Sequence, residues 1–124
     1  MVSALAKHIL VLAEDAAVRQ TKKLVLEHLG FTVAAVSTVR EVDHVTGITT
    51  FDLAILGRTV TDPHKQEAAK AIRSRQPNTP VLEICNVSPV VPNADYVLRS
   101  PNPEDLAEMV RMILIEKRVA SDLS

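Results

Sequence analysis

The sequence predicts an α/β domain built on an open, parallel sheet of five strands with helices on both faces. Three observations predict it. Short continuous aliphatic runs, as expected of strands buried on both faces, alternate with longer segments whose apolar residues recur at helical spacing. Strands that alternate with helices form βαβ units, whose crossovers are right-handed and whose sheet is parallel. The chain has 124 residues, 47% of them apolar and 23% charged, which suits one folded domain with its own core.

The elements follow in order. His8–Leu12 is the first aliphatic run. Asp15–Leu29 has helical spacing: Val18, Val25 and Leu29 share a face, with Thr21 or the stem of Lys22 between them. Asp15 is placed to cap its start and Gly30 to stop its end. Phe31–Val36 is the second strand. Thr38–Gly47 predicts a weaker helix, because Val39, Val42 and His44 make a poor stripe. Phe51–Leu56 is the third strand and Gly57 ends it. Asp62-Pro63 is a helix start, a capping residue followed by a proline whose missing N–H costs nothing there. That helix runs to about Arg75 and Pro77 stops it. Val81–Cys85 and Tyr96–Arg99 are strands four and five. Asn102-Pro103-Glu104-Asp105 opens the last helix, with its acids at the positive end. Leu106, Met109, Val110 and Ile113 form its apolar stripe, and Lys117 and Arg118 suit its negative end. No internal repeat, linker or low-complexity segment interrupts residues 1–124, so one domain is expected with its core at about 8–118. Such a plan suits a flavodoxin-like sheet, in which ligands bind beyond the carboxyl ends of the strands. The positions to weigh are therefore Ala13-Glu14-Asp15, Gly57-Arg58, Cys85-Asn86 and Arg99-Ser100.

Composition excludes several function classes. Lys plus Arg is 14 and Asp plus Glu is 15, a net charge of −1. A surface that neutral has no electrostatic reason to seek nucleic acid or anionic lipid. Phe31, Phe51 and Tyr96 are the only aromatic residues, too few for a base-stacking platform. The single cysteine, Cys85, forms no internal disulfide and fits a reducing compartment, so a cytoplasmic location is expected. No apolar run approaches the roughly 20 residues of a membrane span. Met1–Ala13, with Lys7 in the middle of its apolar stretch, does not read as a signal peptide.

Several motifs in fixed order resemble the response-regulator receiver domain, the CheY-like fold. His8-Ile9-Leu10-Val11-Leu12-Ala13-Glu14-Asp15 is similar to the family's opening, and Leu29-Gly30-Phe31-Thr32-Val33 to its second strand. Phe51-Asp52-Leu53-Ala54-Ile55-Leu56-Gly57 is similar to the third strand, and Ile72-Arg73 to the third helix. Pro80-Val81, Ala94-Asp95-Tyr96, Pro101 and Glu104-Asp105-Leu106 complete the likeness, which covers residues 8 to about 115. It implies strand order 2-1-3-4-5 and a place in bacterial-type two-component, phosphorelay signalling.

A typical receiver transfers a phosphoryl group to an aspartate. The resemblance implies a carboxylate nucleophile after strand three and two acids after strand one to hold Mg²⁺. It further implies a hydroxyl after strand four and a lysine after strand five. Residue by residue, the nucleophile falls on Gly57, the acid pair on Ala13 and Glu14, the hydroxyl on Cys85 and the lysine on Ser100. Four of these five positions lack the required group. Neighbours do not restore it. Asp15 is better read as a helix cap, Arg99 is held out of register by Pro101, Asp62 is a cap, and Asp52 lies at the wrong end of the sheet. From Cys85 to Ser100 is only 15 residues, where the family fits a whole helix. The connector Asn86–Asn93 contains two prolines and three valines, which cannot sustain one. Helix four is therefore expected to be shortened or lost, uncovering apolar surface on a face that the family commonly uses for partners and dimers.

The candidate residues carry modest chemistry. Glu14 alone, without a second carboxylate or a phosphate, is a weak Mg²⁺ ligand, so no metal and no cofactor is expected. Cys85 reads as a small buried residue rather than a nucleophile, since no histidine is placed to activate it. Glu83 is a charge inside a strand, expected to reach solvent or to pair with Arg58 or Arg99. Val87, Val90 and Val91 either plug the sheet or, with Tyr96 and Arg99, form an interface. The expectation is a receiver domain without its phosphoacceptor. It would be no enzyme, would act as a phosphorylation-independent interaction or dimerisation module, and would bind a signalling protein or its own copy through the region from strand four to the last helix. The alternative is a small-ligand sensor using the vacated crevice at the strand ends.

Overall fold

A computed structural model describes residues 7–100 and 102–116; Pro101 and the basic pair Lys117 and Arg118 lie outside the described residues. The strands are β1 (His8–Leu12), β2 (Thr32–Val36), β3 (Leu53–Leu56), β4 (Val81–Ile84) and β5 (Tyr96–Leu98). They form one parallel sheet in the order β2-β1-β3-β4-β5, as expected. The helices are α1 (Ala16–His28), α2 (Val39–Thr46), α3 (Asp62–Arg75) and α4 (Pro103–Arg111), whose end widens into a π-turn over Met112–Glu116. Between β4 and β5 there is no helix, only bends and turns.

Alternation along the strands divides the core into two layers. Ile9, Val11, Leu53, Ile55, Leu82 and Ile84 face α1 and α4, where Leu26, Leu106, Val110 and Ile113 meet them. Leu10, Leu12, Ala54, Leu56 and Val81 face α2 and α3, where Val42, Ala68, Ala69 and Ile72 meet them. Each large aliphatic side chain so buried contributes about 1.5–3 kcal/mol.

The helix ends show why the segments start where they do. The Asp15 carboxylate accepts from the Val18 N–H at 3.0 Å, so Asp15 is the cap the sequence predicts. Gly30 takes φ 98°, the left-handed conformation that ends a helix after α1. The buried anchor of α1 is Leu26, while Val18, Val25 and Leu29 are half-buried. Thr38 and Glu41 form a capping box that makes α2 a better helix than its stripe suggests. The start of α3 needs a correction of one residue: Thr61 is the cap, and Asp62 and Pro63 are the first two helical residues. Proline is tolerated through the first turn, so the dipeptide marks the start only to within one position.

At the amino ends of the strands, acids tie the sheet to its loops. Asp52 accepts from the His8 N–H at 2.9 Å and Asp95 from the Val81 N–H at 2.8 Å. Asp52 thus sits at the far end of the sheet from the strands' carboxyl edge, as its position in the third strand implies.

Candidate functional site

The carboxyl edge of the sheet gathers the residues that the strand pattern singled out. Ala13 follows β1, fully buried, with its N–H on Val36 O and its carbonyl accepting from the Arg19 guanidinium at 2.9 Å. Gly57 follows β3, and its N–H donates to Leu12 O at 2.8 Å. A Cβ built on Gly57 would lie 2.9 Å from that same carbonyl oxygen, closer than carbon approaches oxygen without displacement. Close backbone approach, not an unusual φ, is what holds glycine there. Cys85 is buried after β4, with its N–H on Leu98 O. Ser100, after β5, donates its hydroxyl to Asp105 Oδ2 at 2.5 Å and accepts from the Asn102 N–H at 3.1 Å. That arrangement is a turn into α4, with the Asn102 side chain capping the helix through the Glu104 N–H.

Glu14 faces the start of α3. Its Oε1 accepts from the Thr61 N–H at 3.3 Å and its Oε2 meets His64 Nδ1 at 2.5 Å. The strand ends therefore do hold an acid–histidine pair, which sequence reasoning missed because the partners are 50 residues apart. Among the described residues no group of three or more His, Cys, Asp or Glu could hold a metal ion.

Glu83 corrects a second expectation. It neither reaches solvent nor pairs with Arg58 or Arg99. Its side chain is fully buried against α3, where Lys65 Nζ lies 3.3 Å away, itself 4% exposed. Lys65 also donates to Ile84 O at 2.7 Å. The Glu83 carboxylate accepts from the Val90 N–H at 2.9 Å and the Val91 N–H at 3.0 Å. Among the described residues no buried side-chain polar atom lacks a partner. The sequence shows half of this: Lys65 stands first in a 65, 68, 69, 72 stripe with Ala68, Ala69 and Ile72, which puts it on the buried face of α3 without specifying its partner.

These contacts set the connector. Besides the two N–H groups on Glu83, Gln66 Nε2 donates to Val90 O at 3.0 Å, and the Arg73 guanidinium donates to Pro92 O and Asn93 O. Val91 is 5% exposed and Val90 packs half-buried against the α3-side core, so both cover the sheet where uncovered surface was expected. Val87 is 82% exposed. Arg99 is exposed, and Tyr96 packs partly buried against the α1-side core.

Two further cations face this edge. Arg58 follows Gly57 and donates to Asn86 Oδ1 at 3.2 Å. Lys22, on α1, shares with Arg58 a cleft of about 240 Å³ that also reaches Ser100 and the start of α4. Partial burial, and secondarily the Arg58 charge, hold the Lys22 ammonium below the usual lysine range.

No protein-family model and no curated protein matches this chain. Solved structures do. The chain is similar to the chemotaxis response regulator CheY4 of Vibrio cholerae, at 25% identity over 88% of this chain and 99% of that one, with a TM-score of 0.75. It is similar to a CheY-like response-regulator receiver domain of Methanospirillum hungatei, at 22% identity over 93% and 98%, TM-score 0.75. A two-component response regulator from Clostridium difficile is 23% identical over 87% and 95%, again with a TM-score of 0.75. The chain thus has the fold of CheY-like receiver domains, with four α-helices among the described residues.

Proposed function

We propose that this receiver-fold domain serves two-component signalling without accepting a phosphoryl group, as a cytoplasmic protein-interaction module and not as an enzyme. One observation carries the reading. The position that would hold the acceptor is Gly57, packed so closely on Leu12 O that even a Cβ displaces backbone. The surrounding groups support it. Ala13 replaces one metal-binding acid, and Glu14 is engaged by Thr61 and His64. Ser100 and Cys85 serve a turn and the core rather than a phosphate. Phosphoryl transfer needs a nucleophile and a cation to neutralise the transferred oxygens, and this edge offers neither in the required place.

The interaction surface proposed lies along the β5 edge and the connector, where Val87, Tyr96 and Arg99 are reachable, with a signalling protein or a second copy as the partner. The net charge of −1 argues against nucleic acid as that partner. Among the described residues no helix is long and apolar enough to cross a membrane.

Incubation with acetyl phosphate and Mg²⁺, followed by intact mass spectrometry, tests the central claim. Unchanged mass is expected. A labile gain of one phosphoryl group overturns it.

A further inference from the structure

We infer that the cleft between α1 and the start of α4 binds a small organic anion, a carboxylate or phosphate head on an apolar body. The cleft opens at the carboxyl ends of β4 and β5, on the face of the sheet opposite α3. Its volume is about 240 Å³. That is room for a small organic molecule. Val18, Ile84 and Leu106 give it an apolar wall. Lys22 and Arg58 bring two positive charges to it from elements far apart in sequence.

Those charges are what points to an anion. Among the described residues, neither Lys22 nor Arg58 has a carboxylate partner. Of the acids at these strand ends and helix starts, Asp15 caps α1, Glu14 is held by Thr61 and His64, Asp105 accepts from Ser100, and Glu104 is exposed and does not line the cleft. Among the described residues, Arg58 donates only to the neutral Asn86 side chain. Partial burial first, and the Arg58 charge second, disfavour the protonated form of Lys22 in this cleft. In a chain whose acids slightly outnumber its bases, two like charges unbalanced in one concavity destabilise the empty protein. A bound anion relieves that repulsion and gains charge-assisted hydrogen bonds, stronger in a partly desolvated cleft than in water. The apolar wall then selects against bare inorganic anions, whose far side would lose hydration without compensation.

This inference does not rest on the loss of phosphoryl transfer. Mass spectrometry reads Gly57, whereas ligand titration reads Lys22 and Arg58, so either can fail alone. The test is a titration of the uniformly ¹⁵N-labelled full chain with hexanoate, butyl phosphate, hexan-1-ol and inorganic phosphate. Amide shifts of Ala17, Val18, Thr21, Lys22, Arg58 and Leu106 are followed. Saturable shifts at these amides are expected with hexanoate or butyl phosphate, and the stronger of the two identifies the head group. Affinity is expected to be at least tenfold above that for hexan-1-ol and for inorganic phosphate. The double variant Lys22→Gln, Arg58→Gln is expected to bind at least tenfold more weakly while keeping the melting temperature of the parent or exceeding it. Equal affinity for hexan-1-ol, unchanged binding by the double variant, or no saturable shift at the cleft with either anion overturns the proposal.

Discussion

Substituting Glu83→Gln tests the account of the connector. Glutamine keeps the volume and shape of the side chain and removes its charge. In the structure the carboxylate is fully buried, 3.3 Å from Lys65 Nζ, and accepts from the Val90 and Val91 N–H groups. The substitution therefore does two things. It leaves the Lys65 ammonium buried with only Ile84 O as partner. It also turns Oε2, which accepts from the Val90 N–H at 2.9 Å and faces Lys65, into a donor, leaving Oε1 to accept from Val91 at 3.0 Å and from Val90 at 3.2 Å. Removing one member of a buried ion pair costs about 3–5 kcal/mol, and weakening the Val90 hydrogen bond costs up to about 1 kcal/mol. The two costs share groups and do not simply add, so a loss of about 3–5 kcal/mol is expected. That is a large part of the about 5–15 kcal/mol typical of a domain. Urea unfolding followed by circular dichroism measures it, with the slope checked for constancy. Adding Lys65→Met to Glu83→Gln removes the stranded charge and should recover at least about 1 kcal/mol. Hydrogen exchange at Val90 should accelerate in both variants, because neither restores the Oε2 acceptor. A loss below about 1 kcal/mol, or no recovery in the double variant, refutes the reasoning.

Three further outcomes are expected. Gly57→Asp should lower the melting temperature and leave intact mass unchanged after acetyl phosphate treatment: its Cβ meets Leu12 O at 2.9 Å, which costs about 1–3 kcal/mol, and Ala13 still supplies no acid. Val91→Asp should unfold the domain or nearly so, whereas Val87→Asp should change stability by less than about 0.5 kcal/mol; light scattering of Val87→Asp against the parent then reads any self-association without a folding defect. Hydrogen bonds from Ser37 and then Thr38 hold the Glu41 carboxyl below 4.5, and the Arg75 guanidinium holds Asp43 below 3.8. Both groups release protons more readily folded than unfolded, so their contribution is complete above those values and fades as pH falls through the depressed ones. The variant Glu41→Gln, Asp43→Asn should accordingly lose less stability than the parent on acidification below 4.5, measured by thermal melts across that range.

The fold was legible because its signals are local. Buried aliphatic runs, the Asp15 cap, the glycine after α1 and the proline-bearing starts of α3 and α4 each declare an element within a few residues. The loss of a helix between β4 and β5 was legible for the same reason, since valine and proline cannot sustain one. The site was legible only in its absences: Gly57, Ala13 and Ser100 announce missing groups wherever they sit. The groups present instead came from partners remote in sequence, and no local pattern specifies such a pairing. Lys65 to Glu83, His64 to Glu14 and Lys22 beside Arg58 all depend on which turn of a helix meets which strand end. Glu83 shows the consequence. Its cost inside a strand was clear, yet the partner assigned to it lay on the strand-end loops, whereas the helix across the sheet face supplied it.

The Glu83 arrangement also explains how so short a connector holds one conformation. A helix satisfies its own N–H and C=O groups. A bent segment folded onto a sheet does not, and each buried backbone group left alone costs free energy. Here α3 and β4 take over that role. Glu83 accepts from Val90 and Val91, Gln66 donates to the Val90 carbonyl, and Arg73 donates to the carbonyls of Pro92 and Asn93. Asn93 completes the turn at φ 59°, a conformation that asparagine tolerates better than most residues. The buried charge is thus the acceptor that lets Val91 close the core, and Lys65 is what makes that charge tolerable. A segment tied this way to α3 presents Val87 and the β5 edge in one fixed arrangement, set by folding alone. Such a surface suits a partner that recognises a constant shape, which is the form of signalling proposed for this domain.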